Sequence, residues 1–152
     1  MNYEIIQLEI RNYSKCENVW NMKKQSELAK QFYYELENGN RKTYIYTVDG
    51  EYIGEISLVY NINDSDYTIE SKRAYVSRLI VKKEYRKQGI GKILVDHICK
   101  VAKNEGYKEL SIGVDLDNYP ALKLYINSGF DKIIYIGSDE QGQFVKLLKE
   151  KL

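Results

Sequence analysis

The pattern of apolar and polar positions divides this chain into short elements, and the clearest lie between Tyr75 and Phe130. Tyr75 to Val81 (YVSRLIV) is rich in β-formers and too short for an ordinary helix, so it predicts a strand. A basic turn follows, Lys82-Lys83-Glu84-Tyr85-Arg86-Lys87-Gln88, and then Gly89-Ile90-Gly91. From there Ile90, Ile93, Leu94, Ile98, Val101 and Ala102 recur at helical spacing, and Gly106 stands where a left-handed residue would end the helix. Leu110 to Val114 predicts a second strand, joined to the first through that helix, so the two should form a right-handed parallel βαβ unit. Asp117 or Asn118 can cap the next helix, with Pro120 tolerated in its first turn and Gly129 closing it. Asn118, Ala121, Leu122 and Tyr125 fall at i, i+3, i+4, i+7 and share one face of it.

The flanks are read in the same way. Glu4 to Glu9 predicts a first strand, and Ser14 to Asn38 is helical in character with a break near Lys23-Lys24-Gln25. Its second piece has Ser26 as a cap, Leu28, Ala29, Phe32 and Leu36 at core spacing, and Gly39 as terminator. Lys42 to Val48 and Glu51 to Tyr60 flank Asp49-Gly50, a strong hairpin signal, and Gly54 inside the second run marks a bulge. Asn61 to Lys72 reads as a solvated loop or, with Asp64, Asp66 and Glu70, as an anionic rim that attracts a cationic amine. Lys132 to Ile136 and Gln143 to Leu148 predict a closing hairpin around Ser138 to Gly142. No repeat, low-complexity tract or linker interrupts the chain, so residues 1–152 are expected to be one α/β domain.

Composition narrows the classes. A domain of 152 residues can bury about 68–70% of the surface its unfolded chain exposes. The formal net charge of +1 gives no whole-molecule field toward nucleic acid or an anionic membrane, so the cations act locally. Fifteen tyrosines against three phenylalanines are scattered, which suits amphipathic core-edge positions better than a stacking platform. Cys16 and Cys99 do not form a disulfide framework, the N-terminus lacks the features of a signal peptide, and no segment has the apolar length of a membrane span. A cytoplasmic protein is expected.

The glycine turn carries the chemistry. A strand, a glycine turn and a helix direct the free N–H groups of the helix N-terminus at whatever occupies the turn. Lys82, Lys83, Arg86, Lys87 and Lys92 add positive charge around it, so the turn is read as a pyrophosphate cradle. A Walker loop is excluded because Lys92 is followed by Ile93 and no glycine stands at Arg86. The dinucleotide fingerprint is excluded because Leu94 stands where a third small residue is needed.

What remains, Arg86-Lys87-Gln88-Gly89-Ile90-Gly91, resembles the coenzyme A loop Q/R-x-x-G-x-G/A of the GNAT N-acetyltransferases. Asn118 to Phe130 is similar to that family's second signature, N-x-x-A-x-x-L-Y-x-x-x-G-F. The resemblance implies a mixed, mostly antiparallel sheet flanked by helices, with a central parallel strand pair. It implies acetyl-CoA as cosubstrate, no metal, and transfer of an acetyl group to a primary amine by direct attack. Leu79, Ile80 and Val81 would bind the pantetheine arm as an added strand, and an N–H there would polarise the thioester carbonyl. Arg86, Lys87, Gln88, Gly89, Ile90, Gly91 and Lys92 would hold the pyrophosphate, with Asn118 and Ala121 completing the cofactor site. Tyr125 matches the family's general acid.

Other positions depart from the pattern or leave it open. The family often carries a carboxylate where this chain has Ser77 and Arg78, so the general base is Glu55, Asp115 or a water relay. Arg78 is expected to meet either an internal carboxylate or an acidic group of the substrate. The helix bearing Phe32, Tyr33 and Tyr34 reads equally as part of an acceptor pocket and as a packing helix, and His97 reads as an ordinary, partly buried helix histidine. Partners are acetyl-CoA and an amine acceptor, with no nucleic acid or membrane, and a homodimer is admitted. The competing class is a noncatalytic acyl-CoA-binding sensor or interaction module of the same fold.

Overall fold

The computed structural model describes residues 1–152. Seven strands form one sheet in the order β1-β2-β3-β4-β5-β7-β6: β1 Tyr3–Gln7, β2 Arg41–Val48, β3 Glu51–Val59, β4 Arg73–Val81, β5 Glu109–Asp115, β6 Lys132–Asp139 and β7 Gly142–Lys149. All neighbours are antiparallel except β4 and β5. The helices are α1 Ser26–Glu37, α2 Ile90–Asn104 and α3 Tyr119–Asn127, with 3₁₀ segments at Ile10–Asn18 and Lys83–Tyr85. None is long and apolar enough to cross a membrane.

Local chemistry accounts for most boundaries. Asp49 and Gly50 both take positive φ, 50° and 82°, as a tight hairpin turn between twisted strands requires. Gly106 and Gly129 likewise sit at positive φ just beyond α2 and α3. The Asn118 side chain accepts from the backbone N–H of Ala121 at 3.4 Å and caps α3. Ser26 does not cap α1; the helix begins there, and Gln25 precedes it without a side-chain cap. The final hairpin is longer than its apolar pattern predicts, because Gly137 to Asp139 continue β6 and leave a turn of Glu140-Gln141.

Two apolar bodies lie on opposite faces of the sheet. On one, Ile90, Leu94, Val95, Ile98 and Ala102 of α2 pack with Tyr125 and Phe130 against β2–β5 and β7. Ile93, expected on that stripe, is 43% exposed; the buried face is centred on Leu94 and Ile98, and Val95 takes its place. On the other face Leu8, Cys16, Val19, Trp20 and Phe32 cover Ile45 and Tyr52. His97 stacks edge-on against Tyr44 at 4.7 Å, an ordinary packing position.

Two bulges interrupt the ladders on either side of β3, one with β2 and one with β4. β3 carries an extra residue opposite Tyr46 and Thr47, next to Gly54, where a Cβ would press within 3.3 Å of Leu94 and 3.4 Å of the Ile80 carbonyl. β4 carries one too. Ser57 faces Ser77 and Glu55 faces Ile80, so Arg78 and Leu79 together oppose Ile56, and Arg78 takes φ 64°.

Candidate active site

The parallel pair β4–β5 is zipped only from Arg73↔Glu109 to Val76↔Ile112. Beyond Val76, β4 stays paired to β3 and β5 to β7, so the two strands part and the facing edge of Leu79–Val81 has no partner strand. A strand edge of this kind presents N–H and C=O groups to an extended chain of amides. An open cleft of about 540 Å³ adjoins the gap, lined by Tyr75, Gly113, Asn118, Ala121, Tyr125 and Lys146 among others.

Tyr125 is held from both sides. Its ring stands edge-on to Phe130 at 6.3 Å and belongs to the α2-side core, yet it also reaches the cleft wall. Burial, and secondarily Tyr75, push its pKa up to about 12, so the hydroxyl is a neutral donor. Ala121 and Asn118 line the same cleft one and two turns earlier on α3, so three of the expected site residues share one wall. The Asn118 carbonyl is already engaged in capping α3.

The glycine turn lies at the start of α2. The first N–H of the helix to find a backbone partner is that of Ile93, which donates to the Gly89 carbonyl at 3.1 Å. Those of Ile90, Gly91 and Lys92 therefore point out of the helix end. Lys87 and Gly89 both take positive φ, 63° and 84°, and a Cβ at Gly89 would meet nothing within 4 Å, so its backbone stands open. Such an end fits a pyrophosphate. Gly91 has a different constraint: a Cβ there would come within 3.2 Å of Leu124 and 3.8 Å of Leu79, so its smallness serves the contact of α2 with α3. Arg86 donates from Nε to the Val81 carbonyl at 2.8 Å, which ties the loop to the end of β4. Lys92 pairs with Asp96 at 3.0 Å on the surface. Ile90 is buried, so only its backbone is available.

On the opposite face of the sheet, polar side chains run in register across three strands. Thr43 faces Ser57, and Ser57 faces Ser77. The hydroxyls of Thr43 and Ser57 are 2.6 Å apart, and Arg41 Nη2 donates to Ser77 Oγ at 3.2 Å. One step along, Glu55 is 4% exposed and lies beside Arg78, Trp20, Arg41 and Cys16. Burial raises its pKa to about 7 against the opposing pull of Arg78. Asp115, the other carboxylate considered as a base, is an exposed residue at the end of β5, in the cleft lining.

The loop between β3 and β4 is neither plain solvated loop nor free anionic rim. Asp64 and Asp66 hold Lys146 at 2.8 and 3.1 Å, and the Lys146 ammonium sits 4.9 Å from the Tyr67 ring and 4.8 Å from the Tyr135 ring. Tyr67 stacks on Tyr75 at 4.4 Å, and its hydroxyl occupies the space that a side chain at Gly113 would need. Tyr67, Tyr75, Arg41 and Lys146 were not singled out by the sequence. The available signal was inward-phase polar residues in otherwise apolar strands, as at Arg41 and Lys146.

The chain belongs to the GNAT family of acetyltransferases, whose pattern it matches over residues 3–130. It is similar to human N-acetyltransferase 8, with 32% identity over 77 residues, 51% of this chain and 34% of that protein. It thus spans about a third of that relative's length. Among solved structures it resembles a GNAT family acetyltransferase from Elizabethkingia anophelis with acetyl-CoA bound (TM-score 0.74, 22% identity, 98% of both chains). It also resembles the PaiA N-acetyltransferase from Thermoplasma acidophilum in complex with coenzyme A (TM-score 0.68, 20% identity, 99% of both chains). The expected fold, a mixed and mostly antiparallel sheet with one central parallel pair, is the one observed.

Proposed function

We propose that residues 1–152 act as one acetyl-CoA-dependent N-acetyltransferase domain that acetylates a primary amine by direct attack. The observation that supports this reading is the parting of β4 and β5: the strand edge left open at Leu79–Val81 adjoins the N-terminus of α2, where Gly91 lies against Leu79 and Leu124, and the neutral hydroxyl of Tyr125, the next residue, lines the neighbouring cleft. Acetyl-CoA would supply an activated acyl thioester. The edge of Leu79, Ile80 and Val81 would bind and orient its pantetheine amides. The N–H groups of Ile90, Gly91 and Lys92, with Arg86, Lys87, Gln88 and Gly89, would hold the pyrophosphate, and the Asn118 amide nitrogen and Ala121 would line the arm's path. Tyr125 would donate a proton to the departing thiolate. Glu55, on the β3 position paired with Ile80, would take up the amine's proton through water, since its pKa of about 7 suits a base at neutral pH.

The test is thiol release from acetyl-CoA with a panel of primary amines, beside calorimetric titration with coenzyme A. Binding with turnover of at least one amine is expected. Binding without turnover across the panel would favour the noncatalytic acyl-CoA module, and absence of binding would remove the cofactor site.

A further inference from the structure

Four buried polar atoms, Trp20 Nε1, Arg41 Nη1, Glu55 Oε1 and Arg78 Nε, make no well-formed hydrogen bond in one small region between the 3₁₀ segment, α1 and β2–β4. The Trp20 indole N–H and the Cys16 thiol face the Glu55 carboxyl, so the two guanidinium N–H groups are the ones left without an acceptor. Leaving such groups unpaired is costly, so a cluster of them calls for something that pairs with them. Two of the four belong to guanidinium groups that converge on one aromatic ring. Arg41, only 5% exposed, stacks 3.8 Å from the Phe32 centroid, and Arg78 lies 6.0 Å from the same ring and 4.5 Å from Trp20.

Their existing partners do not use up their capacity. Arg41 donates from Nε to Glu35 at 2.8 Å and from Nη2 to Ser77, which leaves Nη1 free in the interior. Arg78 donates only to the neutral Gln25 side chain, at 3.2 Å. Glu35 is committed to Arg41, and burial keeps Glu55 partly protonated near neutral pH. The region therefore holds more positive than negative charge, with N–H groups still to satisfy. Arg78 also occupies a left-handed conformation at the β4 bulge, a costly backbone state for a residue with a side chain.

Resting on the N-acetyltransferase reading, we propose that Arg41 and Arg78 form a subsite for a carboxylate carried by the acceptor, so that the substrates are amines bearing an acid group, such as amino acids. Guanidinium forks match carboxylates in shape as well as charge. The subsite adjoins the open strand edge: Arg78 directly precedes Leu79–Val81 on β4, and Ser77, which accepts from Arg41, precedes Arg78. The carboxyl of Glu55 lies beside Arg78, so an acceptor whose carboxylate is held there brings its amine toward the base of the proposed reaction.

The experiment compares amino acids, with the amine placed from the α to the ε carbon, against their carboxamides in the thiol-release assay. At least one acid should exceed its amide in kcat/KM by about tenfold or more, because an amide cannot accept from two forks as a carboxylate does. Arg78→Gln should collapse that ratio, and Arg78→Lys, which keeps the charge without the fork, should retain part of it. Amides that equal or surpass every acid would overturn the subsite, as would an Arg78→Gln variant that melts earlier but keeps the ratio. If coenzyme A binds and neither series releases thiol, the transferase reading fails separately. The subsite is then judged by emission from Trp20, the sole tryptophan, during titration with the same acids and amides. A change with an acid, absent with its amide and lost in Arg78→Gln, supports the subsite; no change with any acid refutes it.

Discussion

A tyrosine gives up its proton only as readily as its surroundings allow, and burial makes Tyr125 hold its own more tightly, which bears on its proposed role as the acid. Its pKa is pushed up to about 12, while an ordinary thiol ionises near 8.5, so complete transfer to a thiolate is uphill unless the site also desolvates the sulfur. Hydrogen-bond donation that turns into transfer late in the step is the consistent picture. Tyr125→Phe retains the ring packed on Phe130, so melting temperature and coenzyme A affinity should hardly move. With chemistry rate-limiting, kcat should fall by ~10²-fold or more, the usual effect of losing a positioned acid. Steady-state rates for both proteins check this, and a near-normal kcat would remove Tyr125 from the chemistry. Glu55 makes a pH prediction with two signs. As a base it must be ionised, so kcat/KM should rise with pH through about 7 and level off above. Its folded pKa lies above the unfolded value, so the folded state holds the proton more tightly and stability should decline as pH rises from about 4.5 to about 7. Glu55→Gln should flatten both trends in rate profiles and in melting scans. A variant that loses the stability slope but keeps the rate limb would identify Glu55 as structural and leave the base to another group.

At the scale of the elements, the glycine turn shows how far a sequence can be read and where it stops. The strand, the turn, both helices and the parallel pair were legible because periodicity, caps and turn glycines are local signals. Leu94 and Ile98 set the stripe of α2, and Gly106 and Gly129 end their helices at positive φ. The purpose of Gly91 was not legible. Its spacing matches the cofactor-loop signature of the family, but what stands against it is Leu124, more than thirty residues away on another helix. The same limit hid Arg41 and Lys146, whose importance arises from partners on other elements, Ser77 in one case and Asp64 with Asp66 in the other. Gly91→Asp should therefore do two things at once. A carboxylate at the helix N-terminus should weaken coenzyme A by at least ~2 kcal/mol, the scale of a lost charge-assisted hydrogen bond. The new Cβ, 3.2 Å from Leu124, should lower the melting temperature as well. Gly91→Ala separates the effects: it adds the same Cβ against Leu124 without the carboxylate, so it should lower the melting temperature while keeping most of the affinity. Calorimetry and thermal melts on the two variants check the division. A Gly91→Asp protein with normal melting and normal affinity would take the turn out of both roles.

Across the whole molecule, the cleft is a place where the sheet is not closed. β1–β4 form one continuous antiparallel run and β5, β7 and β6 another, and only four residue pairs, Arg73↔Glu109 to Val76↔Ile112, join them. Beyond those pairs the halves are held by α2 and α3 through their shared core with Tyr125 and Phe130. A ligand lying along Leu79–Val81 on one side and against Asn118 and Ala121 on the other would bridge the two halves where their hydrogen bonding stops. It would bind the folded chain and have no counterpart in the unfolded one, so mass action requires it to stabilise the fold. At a hundredfold excess over its dissociation constant, coenzyme A should add about 2.7 kcal/mol. For a domain of this size that corresponds to a rise of roughly 5–10 °C in melting temperature, growing with the logarithm of ligand concentration. Tyr125→Phe should keep the rise, since it removes a hydroxyl rather than the binding surface. Gly91→Asp should lose most of it, since it opposes the pyrophosphate. Thermal melts of the three proteins against coenzyme A concentration measure this directly. A wild-type melting temperature indifferent to coenzyme A would mean that the gap between β4 and β5 does not hold the cofactor.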